Sequence, residues 1–477
     1  MTSAKPSITD CPADTKMGSG AKPQLAAVSA LTLFAVAALA LIPQASAQTV
    51  EVVRSFNAGG SLQYPIGPIT QGRNGTLYGT TQSMEYGSIF SLRLNGDVTA
   101  TFAFDQADGE IPYTGITLGT DGNFYGTTEL GGASNYGVLF QLAPDGAETV
   151  LHQFTGASDG SYPGGAPIEA SDGNLYGTTG NGPDSSEGTV YKYEPKTGAF
   201  TTIYSGSAAY GALGPLLQAS NGNLYGTASE AGASNCGAIF QVTVSGALVS
   251  ESAFPCGSGG TGDPVSGLIQ ASNGEFYGVS KYGGNDLGTI FRMSADGVVT
   301  IAHSFAGTDG EYPYGGLAQA TDGNLYGTAT GGGKRGLGTI YRITLDGGFT
   351  ELYSFTSPTG ESPAGTLLQD TSGLMYGTAY LDAQYGYGSV YSLNMGLGPF
   401  IAFVLPVGSE GQSAQILGQG FTGTSAVTFN GVPATSFKVA SDTFLTAIVP
   451  SGATTGKVVV TTPGGELTSN VNFRITQ

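Results

Sequence analysis

The stretch Asp322-Gly323-Asn324-Leu325-Tyr326-Gly327-Thr328 decides the fold, because close variants of it recur along most of the chain. Its Tyr-Gly pair recurs at intervals of about fifty residues, a period typical of one supersecondary unit that cannot bury its apolar face alone. We expect these tyrosines to pack between neighbouring units, with a ring of seven binding tyrosines as the alternative. The seven pairs begin at Tyr78, Tyr125, Tyr176, Tyr225, Tyr277, Tyr326 and Tyr376.

Each repeat predicts four short antiparallel strands, which we call a, b, c and d. In the repeat around Tyr326, strand a is Gly316–Ala320, b is Leu325–Thr328, c is Thr339–Ile343 and d is Phe349–Phe355. Most a–b connections contain Asp-Gly or Asn-Gly, a strong hairpin signal because both central residues of a type I′ turn need positive φ. Four strands repeated seven times predict an all-β fold with a seven-bladed β-propeller.

The strand count also predicts how the ring closes. Seven sets of strands a, b and c lie between Ile66 and Leu393, but only six d strands lie among them. The missing d strand is expected at Val50–Phe56, which ends in the same Ser-Phe pair as later d strands. We therefore expect residues 48–396 to form a propeller whose last blade takes its outer strand, 50–56, from the N-terminus.

The pattern changes near Phe400, where the Tyr-Gly pair disappears. Short apolar segments such as Val427–Phe429 and Leu445–Val449 then alternate with turns. This pattern predicts that residues 399–477 form a small β-sandwich of the immunoglobulin-like kind.

The N-terminus predicts export. Leu25–Ile42 is an almost wholly apolar run, followed by a proline and then by Ala-Ser-Ala at 45–47, the pattern of a signal-peptide cleavage site. We expect residues 1–47 to be a signal peptide, with Met17 as an alternative start. The competing interpretation is an uncleaved anchor, because about eighteen residues just span a bilayer. Cleavage would leave a secreted or cell-surface protein that is not inserted in the membrane.

The net charge limits the classes of partner. The formal charge is −19 at pH 7, and such a surface repels phosphate backbones and anionic lipid. We therefore predict no nucleic-acid partner, although the charge equally suits solubility alone.

Two of the three cysteines, Cys236 and Cys256, lie beyond the predicted signal peptide. The segment between them predicts a hairpin that turns near Ser245-Gly246 and brings the two residues together. In an oxidising compartment they are expected to form a disulfide, with two free thiols as the alternative. The bond would staple one repeat.

The repeat resembles the GloVer (Gloeo/Verruco) tandem-repeat family over about residues 50–395. The resemblance rests on Asp-Gly-Asn-Leu-Tyr-Gly-Thr, then Gly-Thr-Ile-Phe/Tyr-Arg, then a strand ending in His-Ser-Phe or Tyr-Ser-Phe; the closest copy is Asp322–Thr328 with Gly338–Arg342. Members of that family are exported bacterial proteins of unassigned function, so the resemblance implies export.

The C-terminal region resembles an IPT/TIG domain, an immunoglobulin-like module of surface proteins. The resemblance rests on Pro399–Ile401, Gly418–Phe421, Val427–Gly431 and Gly456–Pro463. The final residues, Asn472–Gln477, lack the apolar helix and basic tail of family members that carry a sorting signal. The difference implies release or non-covalent attachment at the surface.

Catalytic and metal chemistry is not predicted. The two histidines, His152 and His303, occupy the same place near the end of a d strand, which Tyr353 and Arg54 fill elsewhere. The sequence contains no Ser-His-Asp arrangement, no Cys/His cluster and no phosphate-binding loop before a helix. We predict no catalytic residue, no metal site and no cofactor.

The connections predict which face binds. The d–a and b–c loops are longer and more variable than the a–b and c–d turns, and they share one face, which we call the long-loop face. Binding residues usually lie on variable loops held by a rigid scaffold. Tyrosine beside proline equally suits packing, and aspartate in these loops equally suits turn capping. The candidate ligand-binding residues are Tyr64, Tyr113, Tyr162, Tyr312, Tyr314, Asp108, Asp159 and Asp309.

These observations predict an exported, non-enzymatic binding or adhesion protein. Exposed tyrosines among carboxylates suit sugar rings, so the predicted partner is an extracellular glycan or a protein or peptide ligand on the long-loop face. The alternative is a carbohydrate-active or other hydrolase or lyase that uses loop carboxylates or tyrosine on the same face. No oligomeric state is predicted.

Overall fold

The structure, a computed structural model, describes residues 48–57, 62–83, 86–184, 186–232, 235–256, 260, 262–382 and 384–476. The predicted signal peptide lies outside the described residues. The regular structure is β-strand apart from two 3₁₀ turns, Ser207–Ala209 and Ser357–Thr359, so the expected all-β class is confirmed. None of the described residues belongs to a helix with the length and apolar character that crossing a membrane requires.

The described strands between residues 49 and 394 form seven antiparallel sheets, numbered here along the chain. Each runs in the order a, b, c, d, and strand a is in two pieces in sheets 3, 6 and 7. Sheet 1 contains Thr70–Gln71, Leu77–Thr81, Ser88–Leu92 and Val98–Ala103; sheet 2 Ile116–Leu118, Phe124–Thr128, Val138–Leu142 and Glu148–Gln153; sheet 3 Ser161–Pro163, Ile168–Glu169, Leu175–Asn181, Gly188–Glu194 and Ala199–Gly206; sheet 4 Leu217–Gln218, Leu224–Ala228, Ala238–Val242 and Leu248–Ala253; sheet 5 Ile269–Gln270, Phe276–Ser280, Thr289–Met293 and Val299–Ser304; sheet 6 Glu311–Pro313, Ala318–Gln319, Leu325–Gly331, Thr339–Ile343 and Phe349–Ser354; sheet 7 Glu361–Pro363, Leu368–Gln369, Met375–Leu381 and Ser389–Asn394.

The outer strand of sheet 7 comes from the start of the described chain. Thr49–Ser55 pairs antiparallel with strand c of that sheet, Ser389–Asn394, so that Val52 lies opposite Tyr391. The pairing shifts register between Val52 and Arg54, at the level where the c–d pairing shifts in sheets 1, 2, 3, 5 and 6. This strand therefore takes the place and the irregularity of a d strand.

Aromatic pairs join neighbouring sheets. The phenylalanine that ends a d strand packs on the aromatic residue of strand c in the following sheet, as in Phe104–Phe140, with ring centres 5.1 Å apart. Phe56, which follows the N-terminal strand of sheet 7, packs in the same way on Phe90 of sheet 1 at 5.4 Å. The first and last sheets thus share the contact that other neighbours share. The remaining pairs are Phe154–Tyr191, Phe254–Phe291, Phe305–Tyr341 and Phe355–Tyr391.

The seven repeat tyrosines are buried between sheets, at 0–7% exposure. In most repeats the hydroxyl bonds the Asp or Asn four residues earlier; Tyr326, for example, donates to Asp322 at 2.7 Å. The glycine that follows each tyrosine lies under the strand-c ring, and a Cβ on Gly79 would stand 2.4 Å from Phe90 Cζ. The motif is therefore explained by packing and by turn closure.

Hydrogen bonds at the a–b turns also join neighbouring sheets. The side chain of Gln71 in sheet 1 accepts a hydrogen bond from the Thr371 amide of sheet 7 at 3.1 Å. At the position of Gln71, sheet 2 has Leu118, whose side chain cannot accept a hydrogen bond. The row of bonds between neighbouring sheets is therefore interrupted between sheets 1 and 2. The other bonds are Thr120 to Glu169, Ser171 to Gln218, Ser220 to Gln270, Ser272 to Gln319 and Thr321 to Gln369.

Residues 399–476 form what we call the C-terminal module, around one shared apolar core that includes Ile416, Val427 and Phe473. It contains two four-stranded sheets and one parallel strand pair. The first sheet contains Ala402–Phe403, Ser413–Leu417, Phe444–Ile448 and Phe437–Ser441; the second Val432–Pro433, Ala426–Phe429, Val458–Thr462 and Gly465–Thr468; the pair is Val407–Ser409 with Arg474–Thr476.

The C-terminal module lies against the a–b turns. Arg73 donates to the carbonyl oxygen of Thr120 at 2.7 Å and to Gln415 of the module at 2.5 Å, and its guanidinium lies 4.7 Å from the centre of the Phe444 ring. On sheet 4, Arg474 donates to the carbonyl oxygen of Ser220 at 2.7 Å. The module therefore contacts the side of the sheets that carries the a–b turns, opposite to the long-loop face.

The aromatic residue of strand c provides a test of the packing. The hydroxyl of Tyr341 is buried without a hydrogen-bond partner, whereas sheet 4 has Phe240 at the same place. Because an unpaired buried hydroxyl costs about 1–3 kcal/mol, Tyr341→Phe is expected to stabilise the protein by about 1 kcal/mol. The converse Phe240→Tyr should destabilise it. Chemical denaturation of both variants measures the change, and a loss of stability in Tyr341→Phe would contradict the assignment.

Candidate functional site

A cavity of about 190 Å³ lies where the a strands begin, and residues from all seven sheets line it. One equivalent position in each sheet faces this cavity, directly after the proline that opens strand a, or after Ala212 in sheet 4. The seven residues at this position, which we call the cavity ring, are Ile66, Tyr113, Gly164, Leu213, Val265, Tyr314 and Ala364.

Glycines let the sheets approach each other at the cavity. A Cβ on Gly214 would stand 2.5 Å from the amide nitrogen of Gly267 in the next sheet, closer than any real contact. This requirement explains the Gly-rich sequence after each proline. The cavity ring is thus held by backbone packing, and its side chains vary from glycine to tyrosine.

The residue before each cavity-ring proline has an unusual backbone. Tyr64, for example, has φ 57°, a left-handed conformation that is strained for a bulky residue. The strain is held by two hydrogen bonds, because its amide donates to Tyr387 of sheet 7 and its carbonyl accepts from Gln82. Gly211 fills this place in sheet 4 with φ 72°. The equivalent residues are Ile111, Tyr162, Asp263, Tyr312 and Ser362.

The predicted tyrosines fall into two groups. Tyr64, Tyr162 and Tyr312 have this strained backbone, and their rings pack on Tyr380, Tyr136 and Tyr282, with centres 5.1, 5.7 and 5.8 Å apart. Only Tyr113 and Tyr314, of the five, lie in the cavity ring, and Tyr314 is 40% exposed.

The predicted acids lie apart from the cavity ring. Asp108, Asp159 and Asp309 cap the loops that follow the d strands; Asp108 accepts from the Asp105 amide at 2.7 Å and Asp309 from the Ala306 amide at 2.8 Å. Thr359 has the same capping role before sheet 7, accepting from the Thr356 amide. These aspartates therefore cap the loops, which is the alternative to ligand binding that the sequence left open.

The two histidines are packed on the outer strands. His152 bonds Asp159 at 3.1 Å and stacks on Phe200 at 3.6 Å, while His303 bonds Asp309 at 2.9 Å and stacks on Phe349 at 3.7 Å. Neither lines the cavity. Burial lowers the pKa of both rings, against the opposing effect of the aspartates.

Charged groups surround the cavity tyrosines. Glu129 raises the pKa of both Tyr113 and Tyr314, although burial is the larger cause in each, and the pKa of Glu129 is itself raised by burial. The charge of Lys281 lowers the pKa of Tyr314, whereas the charge of Asp263 raises it. These three charged residues were missed by sequence reasoning. Glu129 and Lys281 lie four residues after a repeat tyrosine, where the repeats also have Gln82, Gly180, Ser229, Thr330 and Tyr380. The variation at this position, within an otherwise regular repeat, was the signal that could have identified Glu129 and Lys281 from the sequence.

A hydrogen-bond network fixes one side of the cavity. Gln82 donates to the Tyr113 hydroxyl at 3.1 Å and accepts from the Tyr380 hydroxyl at 3.3 Å.

Cys236 and Cys256 form a disulfide, and the carbonyl of Cys236 accepts from the amide of Asp263. In the part of the chain that the structure describes, no three His, Cys, Asp or Glu side chains cluster as metal ligands would.

Comparison with known proteins identifies the repeat. The model of the Gloeobacter/Verrucomicrobia repeat matches residues 42–213, 148–320 and 266–424. No curated protein matches the chain.

Solved structures resemble the fold. A catalytically inactive variant of virginiamycin B lyase from Staphylococcus aureus, with quinupristin, has a TM-score of 0.53 at 17% identity, covering 73% of this chain and 99% of that chain. A gluconolactonase from Xanthomonas campestris has a TM-score of 0.40 at 12% identity, covering 73% and 90%. The first likeness supports a propeller-like fold. At 17% identity that likeness concerns the fold alone.

The histidine pairs predict a dependence of stability on pH. A lowered pKa in the folded state means that protonation favours the unfolded chain, so this contribution to stability is lost as the pH falls below about 6.5. Replacing both residues, His152→Tyr and His303→Tyr, introduces the side chain of Tyr353 and removes the titration. We expect the variant to gain in Tm over the wild type as the pH falls from about 7.5 to 5. Parallel Tm curves would show that the pairs do not titrate on unfolding.

Proposed function

The chain belongs to the Gloeobacter/Verrucomicrobia repeat family, and we propose that its seven sheets form a closed propeller which binds an extracellular ligand. Closure is supported by three contacts between sheets 7 and 1 that also occur between other neighbours: Phe56 on Phe90, Tyr64 to Tyr387, and Thr371 to Gln71. We also propose that the C-terminal module is an IPT/TIG domain, on the sequence motifs given above.

The cavity carries the proposal. Every sheet brings an equivalent residue to it, and those residues differ from sheet to sheet. It lies at the beginning of the a strands, while the C-terminal module contacts the turns at their other end. A ligand that approaches from the long-loop face would meet the cavity ring directly. The ligand is proposed to be a glycan or a peptide, because tyrosine rings and aliphatic side chains provide apolar contact beside polar groups.

Export is the second part of the proposal. It rests on the apolar run before Ala-Ser-Ala at 45–47 and on the disulfide between Cys236 and Cys256, a bond typical of oxidising compartments. We propose that the protein acts outside the cell or at its surface, without a catalytic role.

The alternative is a hydrolase or lyase that uses the same cavity. Its support is that burial raises the pKa of Glu129 and of Asp263, next to Tyr113 and Tyr314, and acids with a raised pKa are candidates for proton transfer. Both histidines lie outside the cavity, so such an enzyme would depend on carboxylates and tyrosines.

A matched pair of leucines tests the binding site. Leu213 of the cavity ring and Leu248 on the outer strand of the same sheet are 43% and 44% exposed. Leu213→Trp should fill the cavity and exclude the ligand, which weakens binding at least about tenfold, equivalent to about 1.4 kcal/mol. Leu248→Trp should leave binding unchanged.

The measurement is an array of glycans and peptides probed with residues 48–477, wild type and both variants, beside an assay for reducing ends released from the same glycans. Array signals lost only in Leu213→Trp support the binding function. Release of product by the wild type, lost only in Leu213→Trp, would establish the enzyme instead.

A further inference from the structure

The cavity ring is mainly apolar, but its surroundings are acidic. Leu213, Val265 and Ile66 form an aliphatic wall, and the rings of Tyr113 and Tyr314 belong to the same cavity. The two tyrosines are close enough that ionisation of Tyr314 would raise the pKa of Tyr113. The cavity thus combines an apolar wall with two aromatic rings.

The carboxylates near the cavity outnumber the ammonium groups. Glu129 lies beside the cavity ring, since its amide donates to the carbonyl of Ile111 at 3.0 Å, two residues before Tyr113. Asp263 lies two residues before Val265 of the cavity ring. Lys281 is the nearby basic residue: its amide donates to the carbonyl of Asp263 at 3.0 Å, and its ammonium lies 5.1 Å over the Tyr282 ring. Burial raises the pKa of Tyr314, and the charge of Lys281 opposes that rise. The whole chain has a formal charge of −19. Two carboxylates and one ammonium group at the rim give it a net negative charge, which favours a cation.

Glu129 has no counter-ion within the described residues. Its half-buried side chain forms no hydrogen bond or ion pair there, and burial alone accounts for its raised pKa. Desolvating a carboxylate without a partner is unfavourable. A cation bound beside Tyr113 and Tyr314 would supply the missing charge and would interact with the faces of both rings.

The size of the cavity limits the ligand. At about 190 Å³ it is smaller than pockets for drug-sized ligands, which are roughly 300–1,000 Å³. It suits a single side chain. Lysine and arginine place a methylene stem along apolar surface and a charged end in polar surroundings, which matches an aliphatic wall with an acidic rim.

We propose that the cavity binds the basic side chain, lysine or arginine, of an extracellular polypeptide, an inference that rests on the proposed binding function. The stem lies against Leu213 and Val265, and the charged end lies between Glu129 and the rings of Tyr113 and Tyr314.

Peptide binding tests this inference. The probes are fluorescein-labelled peptides of glycine and serine with one central lysine, arginine, acetyl-lysine or glutamate, measured by fluorescence anisotropy at about 0.15 M salt to screen non-specific attraction. The lysine or arginine peptide is expected to bind at least about tenfold more tightly than the acetyl-lysine and glutamate peptides.

Two isosteric variants locate the charge. Glu129→Gln should weaken binding of the basic peptide at least about tenfold. It should not lower the Tm below that of the wild type, because the half-buried charge that it removes is unfavourable in the folded state. Glu351→Gln removes a carboxylate of similar exposure on the outer strand of sheet 6 and should change nothing.

The outcomes separate the two proposals. Array ligands that Leu213→Trp abolishes, together with no preference for the basic peptides, would overturn the basic-side-chain inference and leave the binding function standing. Equal weakening of basic-peptide binding by Glu129→Gln and Glu351→Gln would also overturn the basic-side-chain inference and leave the binding function standing. No binding of any array ligand or peptide would overturn both.

Discussion

The contact between a strand-c ring and the glycine beside the repeat tyrosine is the constraint on which the rest of the structure depends. Because Gly79 has no side chain, the Phe90 ring lies directly on the backbone of strand b. Tyr78 points to the opposite face of the same strand, where it meets Phe124 of the next sheet with ring centres 4.4 Å apart. Seven copies of this contact fix both the thickness of each sheet and its distance from the next.

The same packing explains the N-terminal strand. A d strand does more than extend its own sheet, because its terminal phenylalanine fills the gap before the following sheet. Without Thr49–Ser55 and Phe56, the ring of Phe90 would lose its partner and strand c of sheet 7 would be an open edge. Residues 49–56 therefore complete sheet 7 with a strand and cover the Phe90 ring of sheet 1 with Phe56.

The attachment of the C-terminal module follows from a break in the repeat. Where other sheets have Gln or Glu at the a–b turn, sheet 2 has Leu118, which cannot accept a hydrogen bond. Arg73 bridges this gap with its side chain, and Phe444 and Leu417 of the module join Leu118 in one apolar cluster. The module thus docks where the row of hydrogen bonds between the a–b turns is interrupted, which fixes its position relative to sheets 1 and 2.

Sequence alone was sufficient for the features that repeat. The period, the Asp-Gly turns and the count of d strands predicted the strands and the place of Val50–Phe56, since each arises from local chemistry. It was insufficient for the site, because the cavity ring is defined by which residues converge from sheets far apart in the chain. Tyr113 and Tyr314 were selected with Tyr64, Tyr162 and Tyr312, and only the backbone geometry separates the two groups. Asp108, Asp159 and Asp309 attracted attention as acids but act as loop caps.

The site is asymmetric although the scaffold is nearly symmetric, and the division has a physical cause. Positions that pack sheet against sheet accept few side chains, because the spacing at Gly79 or Gly214 tolerates no added atom. Positions one residue after the opening proline and four after the repeat tyrosine face the cavity and its rim, where the spacing places no such limit. Ile66, Tyr113 and Glu129 therefore differ from their equivalents without disturbing the ring. Seven repeats of one unit provide a rigid frame, and the chemistry of the molecule is set by the few residues that the frame leaves free to vary.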